Sequence, residues 1–430
     1  MTRSPFARLR DLLRDVPAPA GWDPIPLHLG EARLVEPPLD VAALDAVDGW
    51  TRYPELGGSA ELRTAYLGWL ARRFGGSFGE PADAGLMTDA ELAADAGLAV
   101  EPTPGSKQAL AVVIAQAVRR ARARGVTDPV VVLPNPGYPT YLAGTEAAGA
   151  RPLCYPGTVD DGPADDGSGL ADPVDALAAA VAAGAGRVAA VVVCHPGNPD
   201  GETLTAGQLA RAAEVARRAD AVLVVDECYV DLWLGTAPAG FLSDPAALAD
   251  PGLSFVVLHT LAKRSGAPGL RSGFVVGDRH TVAAYAEYNR TCGVSLPRPV
   301  CAVSAALWSD DTHVARARAA LARNWDTADE LLKDLPGYRR PGAGFFLWLP
   351  VPDDPGTTRR LWRDQALTVM PGRYLAVDTA AGSNPAAAGK DPGVDTAAGS
   401  NPGAGHLRVA LVHDEARTEV ALTRLRAGLT

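Results

Sequence analysis

Five apolar runs recur through the middle of the chain, at residues 130–133, 189–194, 221–225, 255–259 and 273–277. They are continuous in Val, Leu and Ala rather than alternating with polar residues, so both faces of each strand expect to be covered. Alanine-rich helical stretches separate most of them, at 107–123, 141–149, 173–186 and 205–218. Strands of this kind alternating with helices predict an α/β fold, a mostly parallel sheet of about seven strands sandwiched by helices.

The flanks read differently. Residues 1–20 have the spacing of a short amphipathic helix (Phe6, Leu9, Leu12, Leu13), and 21–40 are extended and proline-rich, so 1–40 is expected to be an N-terminal arm and a segment of a smaller domain. Helical patterning begins near 41, breaks at 51–58 and resumes after Ser59, a good N-cap. Residues 41–290 are thus expected to form the large domain. Beyond about 285 the composition shifts. One long helical region over 298–335 is followed by strand patterns at 345–349, 367–370 and 407–412 and a closing helix, so 291–430 predicts a smaller α+β domain. Two segments look inserted. Residues 157–172 are rich in Asp and Gly, as a solvated loop would be. Residues 377–405 carry Val-Asp-Thr-Ala-Ala-Gly-Ser-Asn-Pro twice, at 377–385 and 394–402, which predicts a surface loop grown by tandem duplication.

In a parallel sheet, ligands bind beyond the carboxyl ends of the strands. Here those ends read Asn135-Pro-Gly-Tyr138, His195-Pro-Gly-Asn198, Asp226-Glu-Cys-Tyr229 and Thr260-Leu-Ala-Lys263. One polar strand end means little; four in succession point to a single site. Lys263 lies between two apolar runs, and a buried lysine is costly unless paired or neutral. That makes it the leading candidate for covalent chemistry among the four lysines, Lys107, Lys263, Lys333 and Lys390. Asp226 leaves a buried strand and needs a cationic partner, a role a protonated heterocyclic nitrogen would fill. Tyr229 offers a phenol, Tyr138 a flat face and Arg271 a bidentate fork for phosphate. Gly105-Ser106-Lys107 opens a helix, where backbone N–H groups and the helix dipole favour an anion. Together these describe a site for pyridoxal 5′-phosphate.

Bulk properties exclude other classes. A formal net charge of −10 with no basic cluster argues against nucleic acid as the partner. No apolar run reaches membrane-spanning length and the first residues lack a signal-peptide core, so a cytoplasmic location is expected. Five cysteines without a CxxC pair predict reduced thiols, and seven histidines without ligand spacing predict no metal site.

These motifs resemble those of the fold type I, class I and II pyridoxal-phosphate-dependent aminotransferases, from Gly30-Glu31 through Arg408. The resemblance implies that Lys263 forms the Schiff base with the cofactor and that Asp226 pairs with its ring nitrogen. It implies that Tyr229 and Asn198 bond the ring oxygen and that Tyr138 stacks on the ring. Gly105, Ser106, Lys107, Thr260 and Arg271 would hold the phosphate. Gly30, Asn198 and Arg408 would bind substrate, Arg408 taking its α-carboxylate. Tyr53, in Arg52-Tyr53-Pro, would reach the site of a neighbouring subunit, which implies a homodimer. The stretches Leu261-Ala-Lys-Arg-Ser-Gly-Ala-Pro-Gly-Leu-Arg271 and Asp226-Glu-Cys-Tyr229 are most similar to N-succinyl-LL-diaminopimelate aminotransferases of lysine biosynthesis. Two features depart from the family pattern: Ala32 stands where Gly-Glu-Pro is usual, and the duplicated segment precedes Arg408. Other amino donors (aspartate, acetylornithine, aromatic amino acids), a β-lyase or decarboxylase reaction, and a non-catalytic sensor stay open on sequence grounds.

Overall fold

The computed structural model describes residues 3–45, 49–76, 98–157, 172–378 and 401–430. Most of the duplicated segment and most of the Asp/Gly-rich segment lie outside the described residues. The described strands, in chain order, are β1 (Ile25–Pro26), β2 (Leu98–Thr103), β3 (Val130–Asn135), β4 (Arg151–Pro156), β5 (Val188–Cys194), β6 (Val222–Asp226), β7 (Phe255–Thr260), β8 (Gly273–Asp278), β9 (Phe346–Pro350), β10 (Leu367–Thr368), β11 (Met370–Pro371) and β12 (His406–Ala410).

Seven of them form one sheet in the order β2-β8-β7-β6-β5-β3-β4. All neighbouring pairs are parallel except those of β8, which runs against β7 on one side and β2 on the other. The expected apolar strands therefore occupy the centre, and β2 and β4 are added at the two edges. Those two escape a sequence reading because Glu101-Pro102 interrupts the first and prolines bracket the second, as edge strands tolerate.

Along each central strand, successive residues feed opposite faces. Val191, Val193, Leu223, Val225 and Val257 enter one core, while Ala190, Val192, Val222, Val224 and Val256 enter the other. The 60–74 helix, capped by Ser59 Oγ accepting from Leu62 N at 3.2 Å, covers the first face. The 106–123 helix covers the second.

The single helix expected over 298–335 is two helices, Arg298–Ser309 and Thr312–Leu332. Asp310 takes an extended backbone and accepts from Thr312 N at 2.9 Å, which ends one helix and starts the next. The first helix buries Val303, Leu307 and Trp308 in the sheet core; the second buries Leu321, Trp325, Ala328 and Leu332 against β9 and β12. The side chains of the two helices thus enter different cores, with Asp310–Asp311 between them. The N-terminal arm belongs to the second unit: β1 pairs with β10, and Leu9 of the 5–13 helix packs on Met370 and Leu375.

Candidate active site

Because β7 and β8 are antiparallel neighbours, the segment between them is a hairpin, with Thr260 opposite Gly273. A one-turn helix, Leu261–Arg264, carries Lys263 back over the end of the sheet. Thr260 shapes this turn: its hydroxyl accepts from Ala262 N at 3.1 Å and donates to Ser272 O at 3.2 Å. Its proton is therefore committed to the backbone, a structural duty the expected phosphate role did not foresee.

The Lys263 ammonium donates to Gly30 O. A side chain at Gly30 would bring its Cβ within 2.8 Å of the Phe346 ring and 3.4 Å of Lys263 Nζ, so glycine keeps the amine's surroundings open. The rings of Tyr229 and Phe345 have centroids 5.8 and 5.6 Å from Nζ. Burial pulls the amine down to about 8, and the Arg408 charge pushes the same way.

Asp226 ends β6, with the buried apolar residues Val222–Val225 behind it. Its Oδ2 accepts from Tyr141 OH at 2.7 Å and its Oδ1 from Cys228 N at 3.2 Å. Burial raises this carboxyl, against the lowering effect of these hydrogen bonds. Tyr141 was not found in the sequence reading; the signal was its place one helical turn after Tyr138. Their rings meet edge to face, centroids 5.7 Å apart. Cys228, to which sequence assigned no role, donates its thiol to Ser106 Oγ at 3.1 Å and so joins the Asp226 turn to the 106–123 helix.

Gly105 precedes that helix at φ 90°, and a Cβ there would lie 2.4 Å from Arg271 Nη2. Arg271, itself left-handed at φ 55°, is held over this helix start by bonds to Pro104 O at 3.1 Å and Pro268 O at 2.9 Å. Ser106, Lys107 and Arg271 thus share one cationic corner at a helix N-terminus, which suits a phosphate.

Arg408, on β12 of the second unit, points into the same space. It donates to Asn198 Oδ1 at 3.0 Å and His28 O at 3.1 Å and lies 4.1 Å above the Phe346 ring centroid. Among the described residues no carboxylate pairs with it, and its buried Nε has no partner. Burial lowers the guanidinium to about 10. Tyr229 is buried and its hydroxyl is raised well above the ordinary value. Tyr53 stands apart at 99% exposed.

These residues fit pyridoxal phosphate. A half-buried amine faces a buried carboxyl, an aromatic wall lies beside them, and a glycine-opened cationic cup closes the far end. A lysine, a buried acid and a buried arginine with no carboxylate partner among the described residues are the groups that Schiff-base chemistry on amino acids would use. The chain belongs to the class I and II aminotransferase family, whose model matches residues 31–425; that family uses pyridoxal phosphate. A "probable aminotransferase" of Mycobacterium tuberculosis is 28% identical over 96% of this chain and 84% of its own length. An LL-diaminopimelate aminotransferase of Desulforudis audaxviator is 29% identical over 81% of this chain and 80% of its own length. The crystal structure of an aminotransferase from Neisseria meningitidis superposes with a TM-score of 0.78 at 28% identity, covering 100% of this chain and 98% of that one.

Proposed function

We propose that this aminotransferase takes its amino group from a diaminopimelate-type donor, N-succinyl-LL-2,6-diaminopimelate, and passes it to 2-oxoglutarate. The observation that carries a two-substrate reaction on carboxylates is Arg408: a buried guanidinium whose Nε has no partner and beside which no acid stands among the described residues suits an anion. The LL-diaminopimelate relative and the similarity of the 261–271 and 226–229 stretches to the succinylated subfamily support the donor.

Bound pyridoxal phosphate supplies an aldehyde for an amine and a ring that takes up electron density from the substrate Cα. Lys263 would hold the cofactor and would move the proton at the substrate Cα, as an amine depressed to about 8 is suited to do. Asp226, fixed by Tyr141 and Cys228, would pair with the ring nitrogen and favour its protonated form. Arg408 and Asn198 orient the α-carboxylate, and Phe345 and Phe346 keep water from the amine. Ser106, Lys107 and Arg271 would hold the phosphate, and Tyr53, exposed on this chain, would serve the site of a second copy in a homodimer.

Initial rates with N-succinyl-LL-diaminopimelate, N-acetylornithine, aspartate and phenylalanine, each with and without 2-oxoglutarate, test the reading. The succinylated donor is expected to be fastest and to require the oxo acid. Turnover of aspartate alone among the four, or product formation without an acceptor, would remove it.

A further inference from the structure

A cavity of about 220 Å³ lies between the N-terminal helix, the 135–143 segment and residues 374–377. Resting on the aminotransferase reading, we propose that it receives a carboxylate at the far end of the substrate side chain, and that Arg8 recognises it.

Charge is the first observation. Three cations, Arg3, Arg8 and Lys107, line the cavity, and no Asp or Glu does, in a chain of formal net charge −10. Arg3 is paired with Asp11. Arg8 is held differently: its guanidinium carbon stands 4.0 Å from the Tyr374 ring centroid. No carboxylate among the described residues pairs with it. A guanidinium stacked on a ring keeps its in-plane N–H groups free for a bidentate acid.

Position is the second. Tyr138, the proposed stacking ring, also lines this cavity, and its phenol acts on the Arg408 charge. On the same helix as Arg8, the Phe6 ring lies 6.3 Å from that of His28, whose carbonyl accepts from Arg408. The helix therefore reaches from the α-carboxylate site to the cavity. The cavity wall is built, too. Asn135 bonds both N and O of Val377 at 3.0 Å, and Gly137 N donates to Leu375 O at 3.0 Å. The substrate class is an amino acid whose chain ends in a carboxylate, a class that includes a succinylated diamino acid.

Calorimetric titration of the cofactor-loaded protein with pimelate, and with hexanoate as its one-headed counterpart, reads the site without turnover. The wild type is expected to bind pimelate about tenfold more tightly, the value of one charge-assisted pair. Arg8→Ala should erase that preference with hexanoate binding unchanged, and Arg8→Lys should keep part of it. In turnover, Arg8→Ala should raise KM for 2-aminopimelate with kcat kept, and leave norleucine unaltered. Equal binding of the two acids by the wild type, or a preference that survives Arg8→Ala, overturns the subsite. Absence of transamination with every donor would instead remove the substrate reading above, so the two failures are separable.

Discussion

Tyr141 donates its phenol proton to Asp226 Oδ2 at 2.7 Å, with both groups buried and 85 residues apart in the chain. This bond favours the ionised carboxyl against the burial that raises it. Tyr141→Phe is expected to lower kcat and cofactor affinity by about tenfold, the worth of one hydrogen bond to a charged group. Cofactor titration and steady-state rates check it; an unchanged dissociation constant would show that Cys228 N alone suffices.

Lys263 gives a pH signature. Its neutral amine is the nucleophile, and burial brings the amine down to about 8. Below that pH the amine is protonated and inert. Above it the amine is free, so the rate at which the apoprotein captures pyridoxal phosphate should rise with pH and level off above about 8. Stopped-flow absorbance follows the capture. Lys263→Ala should abolish it, and a rate still climbing toward the ordinary lysine value would contradict the depressed amine.

Arg408 separates stability from function. A buried cation without an acid is a cost to the fold, and its removal need not destabilise. Arg408→Met is expected to raise KM for the amino donor about 100-fold or more, as loss of a buried charge partner does, with no fall in Tm. Differential scanning calorimetry and kinetics on the same preparation decide; a Tm drop of many degrees would mean that its bonds to Asn198 and His28 outweigh the burial of charge.

The residue after the lysine has the opposite balance. Arg264 Nε lies 2.9 Å from Asp231 Oδ2, and both side chains are almost wholly buried. Its other nitrogens bond Leu307 O at 2.8 Å and the Asp311 carboxylate, across the break between the two helices. Arg264→Ala leaves Asp231 buried with Arg73 as its remaining salt-bridge partner among the described residues. A loss of about 3–5 kcal/mol in unfolding free energy is expected, read by urea denaturation; a loss below the spread of ordinary surface substitutions would refute it.

Gly105 tests the cup. At φ 90°, with Arg271 Nη2 2.4 Å from the site of a Cβ, Gly105→Ala must both strain the turn and push the guanidinium aside. Cofactor affinity should fall about tenfold or more for one displaced charge-assisted contact, while the substrate carboxylate, held at Arg408, keeps its KM. Titration with pyridoxal phosphate and with pyridoxal separates the two effects.

The central sheet was legible in sequence because strands covered on both faces leave uninterrupted apolar runs, and Asp226 and Thr260 mark where those runs stop. β2 and β4 were not, since an edge strand can carry prolines and a glutamate. The break at Asp310 was hidden because apolar spacing continues on either side of it, and only the Asp310 carboxylate accepting from Thr312 N shows the chain turning. Residue types at the strand ends pointed to Lys263 and Asp226, and only the family resemblance pointed to Arg408. They did not name Tyr141, whose partner is far along the chain, nor the use of the Thr260 hydroxyl in its own turn, which depends on backbone geometry.

The strap at Asn135–Val377 has a counterpart where the chain returns. Asn401 bonds Asp378 Oδ1 at 2.9 Å and Arg373 O at 3.3 Å, and Gly405 N donates to the buried Asp354 carboxylate at 3.1 Å. Exit and re-entry of the chain are thus fastened to each other before β12 begins. Length can be added between these two fastenings without shifting the register that sets Arg408 against Trp348. A duplication between the two fastenings is therefore compatible with the strand register that carries Arg408, because the chain on either side of it is tied down independently.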